Sequence, residues 1–515
     1  MLKKTIKILL VILLSFCLCS CRKQEINNYI VPKYSHYNPN NLYDYLKQIE
    51  YAAENGNENQ VTILYEKIYD ELVKFEDMYV VISLYSDIDY TNGYYQKEIQ
   101  YIYGLGQDLE DQISNTLHNV AISSCGNTLK QAINNDYVFD KYVDYKAKSN
   151  ELIELYRQEN ILCEEYESLD YEDKNYSSKA RDIFVKLVKI RDSIAHLEGY
   201  DNYNDFCDTE IYGRDYNPND LKPIYKACKR FGTKNDELYQ YCLDNLGEYD
   251  SANLLNDLYT CIEDIDYCKD TYEFFKDNEM YYLSDSNKSL DVAYTTSFYT
   301  NGYPFIYAYL YDDAKSLPTM IHEFGHFTNM MFDPEPYPLF YSGCYDIFEI
   351  HSTALQLLST KKLNDNNLAA YNVSDLITYV TDGAIFDEWQ RYIYENPNMS
   401  IEEIDEWYVD LMEEYGYRKE DLNLDYWTYI NHNFSSPLYY VSYATSALAS
   451  LQLFELSLTN YDDAVYKYEQ IIKIGGYKQG YEQLMKTVGL KYFDNENNVY
   501  HVLDSSYNYC AELVY

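Results

Sequence analysis

The segment S-L-P-T-M-I-H-E-F-G-H, residues 316–326, holds a helix start followed by two histidines four residues apart. Pro318 stands near the first turn, where its missing N–H costs nothing. Four residues along a helix advance about 400°, so His322 and His326 lie roughly 40° apart on one face. Two neutral imidazoles one turn apart can grip one zinc ion, and Glu323 then sits beside the open coordination position as a general base.

Such a site needs a third protein ligand. A third histidine six residues after the second, as in metzincins, is excluded because Phe332 stands there. Downstream, D-I-F-E-I-H-S (346–352) opens a second helix whose apolar spacing continues through Leu355 and Leu358. Glu349 presented from that helix completes a His₂Glu set and leaves the fourth position to water. Asp346 is a weaker candidate for orienting a ligand imidazole. His351, two residues from Glu349, faces away and is not taken as a ligand.

Upstream of the motif, F-I-Y-A-Y-L-Y (305–311) alternates aromatic and aliphatic side chains with a period of two, which predicts a strand. Such a strand could pair with an extended peptide through main-chain hydrogen bonds. Elsewhere helical spacing prevails, and only 11 Pro and 18 Gly interrupt 515 residues. Leu42, Tyr45, Leu46 and Ile49 form one stripe, Asn55-Gly56 breaks it, and Val61, Leu64, Ile68, Leu72 and Phe75 form another. An all-helical N-terminal region is expected to about residue 205. Ile183, Leu187, Ile190 and Ile194 mark a helix near its end, with Gly199 as the stop.

The net charge of −43 argues against a nucleic-acid partner, since phosphates would be repelled. At the N-terminus Lys3, Lys4 and Lys7 precede an apolar run, Ile8 to Cys17, too short to span a bilayer. The run ends in Leu18-Cys19-Ser20-Cys21, which resembles a bacterial lipobox. That resemblance implies cleavage before Cys21 and its lipidation, and two acyl chains suffice for stable anchoring at the outer face of the cell membrane. Nine cysteines follow Cys21, in an odd number with wide spacing, so free buried thiols are expected rather than a disulfide framework.

Beyond the two zinc segments the chain resembles the thimet oligopeptidase/oligoendopeptidase F family. I-A-H-L-E-G-Y-D-N-Y (194–203), G-R-D-Y (213–216), F-D-E-W-Q-R-Y-I-Y-E-N-P (386–397) and Y-Y-V-S-Y-A-T-S (439–446) follow in the family's order. The resemblance implies a mainly α, two-lobed zinc peptidase with a deep substrate channel. The predicted strand would place a small β-sheet next to the zinc helix. It also implies one Zn²⁺ per chain and cleavage of short unfolded oligopeptides. In that family a C-terminal histidine and tyrosines stabilise the tetrahedral intermediate. His432 and Tyr443 are the matches here, and Tyr440 matches a substrate-binding position, with the division of roles among the tyrosines open. Asn329 and Gln356 depart from the family pattern, replacing a common His and a common Glu.

The expected organisation is a lipoprotein signal peptide at 1–20, a stalk at 21–40, an N-terminal helical region at 41–205 and a catalytic region at 206–515. The chain is expected to be a monomer touching the membrane only through its lipid. A zinc exopeptidase of related helical type and a non-catalytic peptide- or zinc-binding lipoprotein are the alternatives to an endopeptidase.

Overall fold

The paired stripes near the N-terminus form two antiparallel helices, α1 (Asn40–Glu54) and α2 (Glu58–Ile88), in the computed structural model of the protein. The structure describes residues 26–311, 313–332, 343–475 and 479–515. The lipobox, Cys21 and residues 22–25 of the expected stalk lie outside the described residues, whereas 26–40 are described and bury Ile30, Val31 and Tyr37 against the helices. Asn55-Gly56 makes the turn, with Gly56 in the left-handed region at φ +64°. Helices α3 (Gly93–Ala121), α4 (Gly126–Ile133) and α5 (Asp136–Asp144) close a first core around Leu64, Ile68, Leu72, Ile113 and Leu117.

A second and larger core runs from α6 (Asn150–Glu167) and α7 (Tyr176–Glu198) to the C-terminal helix and also takes in Ile30, Val31, Val81 and Leu84. Gly199 ends α7 at φ +97°, the stop expected from the sequence. Apart from Ile30, Val31, Val81 and Leu84, the two cores divide near residue 145, and α6 and α7 pack with the residues that follow them. Among the described residues the fold is mainly helical with one three-stranded sheet. Among the described residues no helix is long and apolar enough to cross a membrane.

The sheet comprises β1 (Tyr281–Ser284), β2 (Ala293–Phe298) and β3 (Tyr303–Tyr309) in the order β1-β3-β2. β3 is the aromatic strand expected from the sequence, but it is central, parallel to β1 and antiparallel to β2. Both its edges are hydrogen-bonded, so the expected pairing of this strand with a peptide is overturned. β1 and β2 carry the edges instead. Phe305 and Tyr307 are buried together with Ile306 and Ala308, so both faces of β3 are covered.

Four long helices build on this sheet. They are α8 (Ser316–Phe332), α9 (Tyr345–Leu358), α10 (Asn366–Glu395) and α11 (Tyr440–Thr459). Phe324 and Phe327 on the rear of α8 pack edge-on against Phe275, which anchors the helix from behind. Gly325 is needed at the front. A Cβ there would lie 2.5 Å from the His351 carbonyl oxygen and 2.6 Å from Ser352 Cα, so only glycine lets α8 and α9 cross this closely. Ser442, Ser446 and Ser450, one turn apart on α11, face α9, and their hydroxyls bond Asp346 Oδ1, Asp346 O and Thr353 Oγ1.

Candidate metal centre and active-site cleft

The crossing at Gly325 brings Glu349 over the two histidines of α8. Glu349 Oε2 lies 3.3 Å from His322 Nε2 and 3.4 Å from His326 Nε2. These three groups are the one cluster among the described residues able to hold a metal ion, with ligand atoms all within 4.8 Å of one another. Two imidazole nitrogens and one carboxylate are the donor set that suits a tetrahedral metal with one open position. Burial opposes charging His322, yet the Glu349 hydrogen bond and charge push its pKa up to about 9. Burial likewise opposes ionising Glu349, but the two imidazoles hold its carboxyl well below the usual range. The pocket thus favours a positive charge beside the carboxylate, and the residues fit a divalent cation.

His322, Glu349 and Glu323 are each held by a neighbour. His322 Nδ1 meets Gln356 Oε1 at 3.3 Å, which makes Nδ1 the donor and leaves Nε2 free to ligate. Ser352 Oγ donates to Glu349 Oε2 at 3.2 Å, and Tyr439 reaches Glu349 Oε1 at 3.5 Å. Glu323 is buried, and Thr295 Oγ1 on β2 donates to its Oε2 at 2.8 Å. Thr295, Gln356 and Tyr439 were not singled out as holders of these groups by sequence reasoning. Gln356 had a signal, since it stands seven residues after Glu349 and so on the same helix face.

Asp346 does not orient an imidazole. It is fully buried on the side of α9 facing α11, where Arg214 Nε at 3.1 Å, Tyr216 Oη at 2.5 Å and Ser442 Oγ at 2.6 Å occupy it. Arg214 also bonds Asp208, and Arg391 bonds Asp208 and Asp387. A buried network of this kind is costly to break, about 3–5 kcal/mol when one partner is removed. His351 is buried and lines the same cleft rather than facing away, outside the His322–His326–Glu349 group, and burial pushes its pKa down to about 3.

The facing wall is aromatic. His432, in the short helix His432–Ser435, stacks on Tyr439 with ring centroids 5.4 Å apart. It meets Tyr440 and Tyr443 edge-on at 5.2 and 5.8 Å. Burial lowers the His432 pKa, opposed by Glu349, so its ring is neutral near pH 7. Distant side chains fix this wall. Arg191 from α7 donates to the Phe434 carbonyl, and Tyr212 Oη donates to Pro437 O at 2.7 Å. Leu438, at φ +62°, is clamped between Gln390 Oε1 and Arg214 Nη2, each 2.9 Å away. A non-glycine residue held in that region costs about 1–3 kcal/mol and persists only where its surroundings impose it.

Between the walls lies a cleft of about 680 Å³. His322, Glu323, His326, Glu349, His432, Tyr440 and Tyr443 all line it, so every proposed working residue within the described chain faces one space. Tyr345, His432, Tyr439 and Tyr443 also line a second cavity of about 580 Å³, which extends the cleft past the metal group. The nine described cysteines are all free, and apart from Cys163 all are buried.

No model of a known protein family matches the chain. A curated relative, the oligoendopeptidase F homolog of Borreliella burgdorferi, is 27% identical over 202 residues. That match covers 36% of this chain and about a third (34%) of the relative's length. Among solved structures, PZ peptidase A with an inhibitor superposes with a TM-score of 0.76 at 17% identity, over 93% of this chain and 98% of that one. Oligoendopeptidase-F from Enterococcus faecium superposes with a TM-score of 0.59 at 14% identity, over 92% and 96%. The fold is that of the oligoendopeptidases. The expected mainly helical architecture with a small sheet beside the motif helix is therefore what the chain adopts.

Proposed function

We propose that this chain is a zinc-dependent oligoendopeptidase that hydrolyses short unfolded peptides, anchored at the outer face of a bacterial cell membrane through a lipidated Cys21. The observation that carries the reading is the convergence on one cleft of the His322–His326–Glu349 group, Glu323, His432 and Tyr443. The oligoendopeptidase-like fold supports it. So does the apolar leader ending at Cys21 for the anchor.

Zinc held by His322, His326 and Glu349 would acidify a water molecule and polarise the scissile carbonyl. Glu323, fixed by Thr295, accepts a proton from the attacking water and returns it to the leaving amine. The neutral His432 ring and the Tyr443 hydroxyl donate hydrogen bonds to the developing oxyanion. The β2 edge, whose Ala293, Tyr294 and Thr295 line the cleft, offers main-chain groups to an extended peptide. Backbone pairing of this kind reads conformation rather than sequence, so flexible chains of varied sequence are accepted. Tyr440 lines the same cleft and contributes a substrate contact.

The test is a quenched peptide of about ten residues with wild-type protein and Glu323→Gln. The glutamine keeps the size of the side chain and touches no ligand, so bound zinc should stay at one per chain. Hydrolysis should fall about 10²-fold or more, because the proton has no acceptor. Wild-type protein that holds zinc yet cleaves nothing in a diverse peptide library would sink the enzyme reading, and equal turnover by Glu323→Gln would sink the role of Glu323. For the anchor, a fatty-acid probe should label wild-type protein and not Cys21→Ser.

A further inference from the structure

Four carboxylates face the cleft. Its lining includes Glu323, Glu349, Asp375 and Asp382, and no Lys or Arg among the described residues. Glu323 and Glu349 are absorbed by the chemistry above, whereas Asp375 and Asp382 on α10 have no part in it. They stand four residues before and three after Tyr379, one helical turn to either side, on the face turned to the cleft. Tyr379 packs on Tyr443 with ring centroids 5.6 Å apart, so the two carboxylates bracket a ring in contact with the reaction centre.

Asp375 faces the Tyr239 hydroxyl and feels His322 and Lys315, which together partly satisfy it. Asp382 has neither a hydrogen-bond nor an ion-pair partner among the described residues, and it stands half-buried on the wall of the cleft. Its charged neighbours are Asp236 and Asp375, both of its own sign. Burial first, then those two carboxylates, push the Asp382 pKa up to about 7, and burial pushes Asp375 up to about 6. A carboxylate kept unpaired among others is costly, and an incoming cation relieves that cost. The neighbouring Tyr440 offers a ring beside the same space, and aromatic faces add to cation binding.

We propose that Asp382, backed by Asp375, forms a subsite for a cationic nitrogen of the bound peptide, so that the cleft selects basic peptides. The nitrogen is that of a Lys or Arg side chain or of a free N-terminus. The inference names the substrate class of the cleft and rests on the peptidase reading, but binding tests it separately from turnover. Attraction by a half-buried carboxylate with like-charged neighbours favours a cation and disfavours acidic peptides, which meet like charge.

The experiment uses the zinc-loaded full chain carrying Glu323→Gln, which binds without cutting. Four fluorescent decapeptides of one sequence are compared by anisotropy, with Lys or norleucine at a central position and with acetylated or free N-termini. At least one cationic form should bind about tenfold tighter than the acetylated norleucine peptide. Adding Asp382→Asn should reduce that ratio to below about threefold. Which pair of peptides carries the gain distinguishes side chain from N-terminus. Equal affinities for all four peptides, or a ratio that survives Asp382→Asn, would overturn the subsite. If the ratio stands while wild-type protein cleaves none of the four, the peptidase reading fails and the cation subsite survives it.

Discussion

The two walls of the cleft are built on opposite principles. On the α8–α9 wall three of the four polar working groups are paired with a hydrogen-bonding neighbour, in His322–Gln356, Glu323–Thr295 and Glu349–Ser352. On the opposite wall His432, Tyr440 and Tyr443 touch one another only as rings. Their position is imposed from outside, by Arg191 on Phe434, Tyr212 on Pro437 and Arg214 on Leu438. A wall that holds a cation must be set before substrate arrives, because misplaced ligands lose the ion. A wall that answers charge only as the oxyanion forms leaves its donors free for that moment.

Breaking the first wall should have the largest effect. Glu349→Ala and His322→Ala each remove one of three ligands, so metal content should fall from close to one per chain to a small fraction, with peptide hydrolysis lost. Elemental analysis of the purified protein measures this. Full metal in Glu349→Ala would mean that another acid is the ligand.

The second wall should fail differently. Tyr443→Phe and His432→Ala touch no ligand, so metal content should be unchanged. Turnover should fall about 10- to 10³-fold with a smaller change in KM, because the lost bonds strengthen only in the transition state. A change in KM alone would instead make these residues ground-state contacts and erase the contrast.

Gln356→Ala sharpens the comparison from within the first wall. His322 then loses the group that fixes its tautomer, and metal affinity should drop about 10- to 100-fold while saturating metal restores turnover. Chelator competition reads the affinity, and Tyr443→Phe put through the same assay should show no shift.

The first wall was largely legible in the sequence because helical geometry fixes what i and i+4 can reach. His322, Glu323 and His326 follow from one helix, and Glu349 from the helical spacing after it. Thr295 escaped because it reaches Glu323 only through the sheet, with no motif around it. Asp346 was misread for a related reason. Its partners Arg214, Tyr216 and Ser442 come from distant segments, and those decide which way a helical carboxylate is used. The alternation at 305–311 located a strand, but period two says nothing about neighbours. Strand order β1-β3-β2 placed it at the centre and left the edges to β1 and to β2, of which β2 lines the cleft. The tyrosine wall came through resemblance, since ring packing among His432, Tyr439, Tyr440 and Tyr443 leaves no local signature.

The smallest expected effect concerns stability, at the margin where α10 meets the aromatic wall. The folded protein holds the Asp382 pKa up at about 7, while the unfolded chain titrates near the ordinary value of 3.8. Between about pH 4 and pH 7 the folded state therefore keeps a proton that the unfolded chain has released. The unfolded state binds fewer protons across this window, so this group's contribution to stability falls as pH rises through it and then levels off above pH 7. Asp382→Asn removes the ionisation while keeping the shape. It should melt at least a degree or two above wild type at pH 8 (about 2 °C) and no higher than wild type at pH 4. Melting curves of the metal-loaded proteins at the two pH values measure the difference. Equal shifts at both would mean that packing, not charge, sets the effect of the substitution, and the cost of an unpaired carboxylate in the cleft would have to be withdrawn. A gain confined to high pH would mean that the cleft trades stability for a negative site facing the bound peptide.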